Sequence, residues 1–270
     1  MRVHVIGDME GVAGIVRWPQ VSGGHPMYEE GRRLYTEEVN AAVRGARAAG
    51  ADQVVVMDCH GAGGPWSFNS LIPELLHPDC EYVVQSHWTE YTAFLEEGCD
   101  AALLVGMHAR AGSTLGVLNH TVSSETWQNL WFNGRLVGEV GINAALCGHW
   151  GCPVLMVTGD DAVCQEGREL LGDGLTTVAV KTGLGRFSAR QHPARRAREM
   201  IAEGARQALS DLGAVAPYDA GKPVEIRVEF QASEAFASYV RKSGCEAVDD
   251  RTIAVHGDDW WSAWRQLFLS

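Results

Sequence analysis

The chain has 270 residues, 46% of them hydrophobic, enough for one large core or two modest ones. Its formal net charge of −12 argues against a nucleic-acid partner, because neutralising phosphates requires clustered Lys and Arg. The seven cysteines are odd in number and include no Cys-x-x-Cys pair, a pattern that fits a reduced, cytoplasmic compartment better than a disulfide framework.

In chain order, Val3 to Ile6 reads as a strand reached without a charged and apolar leader. Met27 to Ala49 carries Tyr35, Val39, Ala42 and Ala46 at helical spacing and stops at Gly50. The triple valine in Gln53 to Asp58 is what a strand covered on both faces looks like, so the three segments form a βαβ unit. The pattern repeats with a strand at Glu81 to Val84, a helix from Trp88 to Glu97 and a strand at Ala101 to Gly106. Pro153 to Thr158 then reads as a strand, Asp160 to Leu171 as a helix and Thr176 to Val180 as a strand.

From about Arg186 the texture changes. A long helix at Gln191 to Leu212 leads into a Pro/Gly loop at Ala214 to Pro223. After it come a strand at Val224 to Phe230, a helix at Ser233 to Arg241, a short strand near Ile253 and a closing helix at Asp258 to Phe268. The expected fold is therefore α/β: a mostly parallel, doubly wound sheet in a catalytic domain over 1–185, with a smaller α+β part over 186–270. No apolar run nears ~20 residues, so no membrane span is expected.

Open parallel sheets bind ligands beyond the carboxyl ends of their strands. Asp8, His60 and His108 all fall just past such ends. If Asp8-Met9-Glu10 stays extended, both carboxylates point to one side; the same alternation sends Asp58 and His60 together and turns Cys59 away. Glu139 opens a helix rich in small residues that would let it approach the sheet closely, and shares a face with Asn143. Taken singly, each of these residues has a bland alternative: a turn or helix-capping carboxylate, a first-turn glutamate, a hydrogen-bonded core histidine. Taken together, Asp8, Glu10, His60, His108 and Glu139 form a mixed N/O donor set suited to zinc and related divalent ions. Three carboxylates in one cleft also call for compensating charge, which two divalent ions would supply. His120, outside that set, is a candidate proton carrier or a structural histidine.

The sequence resembles the zinc-dependent bacterial D-aminopeptidases, ring-forming metallopeptidases associated with dipeptide transport. The matching stretches are Asp8-Met9-Glu10-Gly11, Tyr28-Glu29-x-Gly31-Arg32, Thr36-Glu37-Glu38-x-Asn40, Asp58-x-His60, Gly106-x-His108-Ala109-Arg110, His120, Gly138-Glu139-x-Gly141-x-Asn143 and the run from Pro153 to Asp161. They cover the first two-thirds of the chain in consistent order; the last third resembles the family weakly. The resemblance implies that Asp8, Glu10, His60, His108 and Glu139 hold two Zn2+ ions per subunit, that His120 is the catalytic histidine, and that the substrate is a short peptide losing an N-terminal residue, D-alanine. It also implies a homo-oligomeric ring, with a decamer as the candidate size. Ile6 stands where the family carries serine, which removes a supporting hydrogen bond and leaves the ligands intact.

Other substrates of paired metal ions, such as a cyclic amide or a phosphoester, are alternatives, as is a dipeptide-binding protein without catalysis. Lys181 and Arg186 are weighed as partners for a peptide carboxylate against ordinary surface solvation. Trp260, Trp264 and Phe268 recur every fourth residue, a stripe that suits either core or an interface between subunits.

Overall fold

The computed structural model describes residues 1–87 and 92–268. Strand β1 (Arg2–Gly7), helix α1 (Tyr28–Ala48) and strand β2 (Gln53–Asp58) form the expected βαβ unit. Strand β3 (Glu81–Val83), the short helix α2 (Ala93–Glu96) and strand β4 (Ala101–Met107) follow. The helix expected from Trp88 begins outside the described residues, and its described part is one turn. Next come β5 (Trp127–Phe132), β6 (Arg135–Val137), α3 (Glu139–His149), β7 (Val154–Asp160) and α4 (Asp161–Leu171). The chain continues with β8 (Thr176–Gly185), β9 (Ser188–Gln191) and α5 (Ala194–Ala208). It closes with β10 (Val224–Phe230), α6 (Ser233–Tyr239), β11 (Glu246–Ala247), β12 (Thr252–Gly257) and α7 (Trp260–Phe268).

Seven strands form a sheet in the order β3-β2-β1-β4-β7-β8-β9, parallel throughout except for the antiparallel β8–β9 edge. Every residue of β4 and β7 is buried, in keeping with the apolar runs Ala101 to Met107 and Val154 to Val157. Strand β1 pairs with β2 on one side and β4 on the other, so the winding reverses between β1 and β4. That reversal opens a crevice at the carboxyl ends of these strands, where α/β sheets place their ligands.

A second, antiparallel sheet runs β11-β12-β10-β5-β6. Strand β10 alternates buried and partly exposed residues, the mark of a sheet covered on one face. Trp127, Phe132, Phe230, Trp260 and Trp264 pack as an aromatic layer between this sheet and α7, with ring centroids 5.2 to 6.5 Å apart in edge and stacked arrangements. The two sheets do not divide at residue 185. Strands β5 and β6 lie before it and pair with β10, whereas β9 lies after it and extends the large sheet, and α5 packs on α1. Among the described residues, no helix is long and apolar enough to cross a membrane.

Candidate metal centre

The end of β1 is tied to the end of β4 by backbone. Asp8 N–H donates to the Val105 carbonyl at 2.8 Å and Gly11 N–H to that of Gly106 at 2.8 Å. Gly106 takes a positive φ of 74°, and a Cβ there would stand 2.1 Å from the Asp8 carbonyl; a Cβ on Gly11 would stand 1.9 Å from that of Met107. Only glycine permits such an approach. The strand itself ends at Gly7, so the two carboxylates converge through a turn rather than through the pleat of an extended run, with Met9 buried in the core.

Through this crossing the five residues singled out from sequence meet. His60 Nδ1 lies 3.0 Å from Asp8 Oδ1 and 3.3 Å from Glu10 Oε2. His108 Nε2 lies 3.4 Å from Asp8 Oδ2 and 3.3 Å from Glu139 Oε1. Asp8, Glu10 and His108 offer donor atoms all within 4.8 Å of one another, and so do His108, His120 and Glu139. His120, set apart from the ligands in sequence, thus stands within reach of them: its ring stacks on that of His108 at 4.0 Å, and Nε2 is 3.8 Å from Glu139 Oε1.

Each of these histidines spends its other ring nitrogen on a backbone carbonyl. His60 Nε2 donates to Val21 at 2.7 Å, His108 Nδ1 to Ala109 at 3.0 Å, and His120 Nδ1 to Leu118 at 2.9 Å. Such bonds fix the proton on the bonded nitrogen and leave the opposite one directed into the cleft, the arrangement metal-binding imidazoles use.

Burial works against charge on both His60 and His108. Glu10 and Asp8 nevertheless hold the pKa of His60 well above its ordinary value, as Glu139 and Asp8 do for His108. Burial also pushes Asp8 up, but its hydrogen bond from His60 and the charges of His108 and His60 hold it well below the usual carboxylate range. The site thus stabilises positive charge where the donors converge. Asp8 Oδ2, Glu10 Oε2 and His108 Nε2 are buried there, close together, and make no hydrogen bond among the described residues. Buried carboxylate and imidazole atoms left this way are costly unless a cation takes them, so the residues fit a divalent metal ion. His120 differs: burial and the neighbouring His108 depress its pKa, which keeps it neutral.

Further groups hold the ligands in place, and sequence reasoning passed over most of them. Asp58 accepts hydrogen bonds from the Tyr35 hydroxyl at 3.1 Å, from His60 N–H at 3.1 Å and from Ser70 N–H, so it orients the His60 backbone. Burial raises the Cys59 thiol far above its usual pKa, so it is no nucleophile. Glu38 accepts from Ala13 N–H at 2.9 Å, and Glu166 from Arg110 N–H at 2.9 Å.

Lys181 is neither solvated nor a substrate contact. It is 1% exposed and donates to the carbonyls of Glu10, Val12 and Ile15 at 2.6, 2.9 and 2.7 Å. Three acceptors use all three N–H donors of an ammonium, so the charged form is the one that fits. Burial pulls its pKa down to about 8, which leaves it charged at neutral pH. It lies inside β8, directly after the apolar run Val178-Ala179-Val180, and a lysine continuing such a run was the available signal. Arg186 is exposed and lies over the Trp18 ring at 5.6 Å.

Two cavities open on the centre. One of about 170 Å³ runs from Asp8, His60 and Glu139 to Trp260 and Trp264; the other, of about 460 Å³, runs from Glu10 past Trp18 to Trp66. His60 and His120 border both.

Comparisons with known proteins identify the family. The peptidase M55 family model, D-aminopeptidase, matches residues 1–269. A D-aminopeptidase of Bacillus subtilis (strain 168) is 33% identical over 234 residues, covering 85% of this chain and 81% of that protein. The solved structure of the Zn-dependent D-aminopeptidase DppA from Bacillus subtilis, described as a self-compartmentalizing protease, superposes with a TM-score of 0.91 at 28% identity, over 100% of this chain and 96% of that one. The chain therefore belongs to the M55 D-aminopeptidase family and is a metallo-aminopeptidase.

Proposed function

We propose that the chain is a dinuclear zinc aminopeptidase that removes the N-terminal residue from short peptides, with D-alanine the residue its family resemblance favours. The observation that carries this reading is the meeting of Asp8 Oδ2, Glu10 Oε2 and His108 Nε2, buried and without a hydrogen bond among the described residues. By proximity, Asp8, Glu10 and His60 would hold one ion and Asp8, His108 and Glu139 the other. The mixed carboxylate and imidazole set suits zinc, and the Zn-dependent relative supports it. Ions held by these residues would supply Lewis-acid chemistry, polarisation of a carbonyl and a lowering of the pKa of water from ~15.7 towards ~7.

The chain's own residues do the rest. His120 is neutral, with its proton on Nδ1 and its free Nε2 facing the cleft. It accepts a proton at Nε2 from the attacking water and returns it to the departing amine. Glu139 Oε1, 3.8 Å away, steadies the imidazolium between these two transfers. The buried carboxylates of Asp58 and Glu38 and the Lys181 ammonium keep the ligand loops from rearranging.

The relative described as self-compartmentalizing supports a homo-oligomeric ring, with the decamer still the candidate size. The described cysteines form no disulfide, which supports a cytoplasmic setting. Hydrolysis of D-Ala-Gly-Gly against L-Ala-Gly-Gly, with and without chelator, tests the reading. It requires cleavage of the D-peptide, loss of that cleavage with chelator and recovery on adding zinc. Turnover insensitive to chelator, or none with zinc bound, would refute it.

A further inference from the structure

We propose that Arg186 binds the free carboxylate of the peptide substrate, so that the enzyme selects short peptides by the charge at their far end. The inference rests on the aminopeptidase reading above and adds the group that recognises the end of the substrate remote from the cleaved bond.

A short peptide carries its carboxylate close to the bond to be cut, because each extended residue spans at most ~3.6 Å. That charge must find a cation or stay in water. The part of the peptide beyond the scissile bond also carries amides, and the two cavities differ in what they offer it. Away from the donors, the smaller one is walled by Ile142, Leu146, Trp260, Trp264 and Phe268, which would leave those amides unpaired. The larger one presents Ser22, Ser123 and Ser124, whose hydroxyls both donate and accept. The departing peptide therefore belongs in the larger cavity. No Lys or Arg lines either space, and apart from the histidines the charged residues lining the larger one, Glu10 and Glu125, are acidic. With Lys181 committed to three carbonyls, a cation for the carboxylate has to come from the rim.

Arg186 stands at that rim. Its guanidinium lies 5.6 Å from the ring of Trp18, which lines the larger cavity, and makes no ion pair or hydrogen bond among the described residues. The Trp18 ring is in turn 5.5 Å from that of His120, so the guanidinium lies within about 11 Å of the imidazole. Two residues beyond the scissile bond span about 7 Å, and a carboxylate–guanidinium pair closes most of what remains. The planar fork of arginine matches a carboxylate with two parallel hydrogen bonds.

Leu118 fixes this placement. Its N–H donates to the Arg186 carbonyl at 2.8 Å and its own carbonyl accepts from His120 Nδ1 at 2.9 Å, so one residue ties the arginine to the histidine. It is fully buried with a φ of 50°, a conformation leucine rarely adopts and one held here by its surroundings.

The test compares kcat/KM of the zinc-loaded enzyme for D-Ala-Gly-Gly with that for its C-terminal amide. The acid should be favoured about 5-fold or more, chiefly through KM, the upper end of what an exposed charge pair supplies. In Arg186→Gln the two peptides should become equivalent through a loss on the acid alone, whereas Arg186→Lys should keep part of the preference because it keeps the charge. Added salt should narrow the preference in the parent and leave Arg186→Gln unaffected. Arg17, the exposed neighbour of Trp18 in the chain, is the control, and Arg17→Gln should keep the preference. Equal kcat/KM for acid and amide in the parent, or a preference that persists in folded Arg186→Gln, would overturn the assignment while leaving the aminopeptidase reading standing. Abolition of the preference by Arg17→Gln would also overturn it. Failure to cleave either peptide with zinc bound would instead overturn the aminopeptidase reading, and the assignment with it.

Discussion

The carboxyl ends of β1, β2 and β4 and the aromatic layer under α7 meet at one cavity, but they are built on opposite principles. At the strand ends, polar side chains are buried, and most are committed to particular atoms. Asp58 holds the His60 backbone, Lys181 three carbonyls and Glu38 the Ala13 N–H. In the α7 layer, Trp127, Phe132, Trp260 and Trp264 interlock through ring contacts whose strength comes from area and shape. The first region positions the candidate metal-binding donors; the second lines the cavity beside them. A substitution in the first should therefore change catalysis or metal retention out of proportion to its size.

The sharpest way to break that contrast is at His120. His120→Ala removes no carboxylate and not one of the five proposed ligands, so metal content should stay normal while kcat falls about 10² to 10⁴-fold, the range for losing a general acid–base. Near-normal turnover would remove it from the mechanism, and loss of metal would make it a ligand.

Lys181 comes next. Lys181→Met keeps the stem and deletes the donors, leaving the carbonyls of Glu10, Val12 and Ile15 without their partner. Denaturant unfolding should show a loss of about 3–5 kcal/mol, with zinc affinity about 10-fold weaker because the Glu10 loop loses its anchor. A change below ~1 kcal/mol would show that the loop is held by other means.

His4 gives the smallest effect and a pH signature remote from the centre. It sits in β1 with Nδ1 3.1 Å from the Val55 carbonyl, and burial lowers its pKa from 6.5 to about 4. Folding depresses the pKa, so its contribution is complete above pH 6.5 and is lost as pH falls from 6.5 towards 4. The gap corresponds to about 3 kcal/mol. His4→Gln should flatten the fall in stability across that window relative to the parent, and parallel curves would exclude the assignment.

The same contrast explains what could be read from the sequence. Asp8, Glu10, His60 and His108 were legible because each follows a strand in an alternating βα pattern, and the winding of a parallel sheet brings such positions to one edge. Glu139 was legible as a helix-opening carboxylate, although its closeness to His108 depends on how α3 packs. Lys181 misled because strand β8 runs on past Val180, where the sequence reading stopped it, and nothing local marks the three carbonyls of residues 10–15 that surround its ammonium. Strand β5 was missed as a strand because its partner β10 lies nearly a hundred residues further on and its buried positions, Trp127, Leu130 and Phe132, do not alternate strictly. That pairing is also why the two sheets share no single boundary in sequence.

The central claim is that five side chains, four from beyond the ends of three strands and one from a helix, converge to hold paired cations. A crystal of the purified protein measured above and below the zinc absorption edge tests it most directly. Two anomalous peaks are predicted, one among Asp8, Glu10 and His60 and one among Asp8, His108 and Glu139. A zinc-soaked crystal with no peak at those residues, or with zinc held elsewhere, would contradict the account.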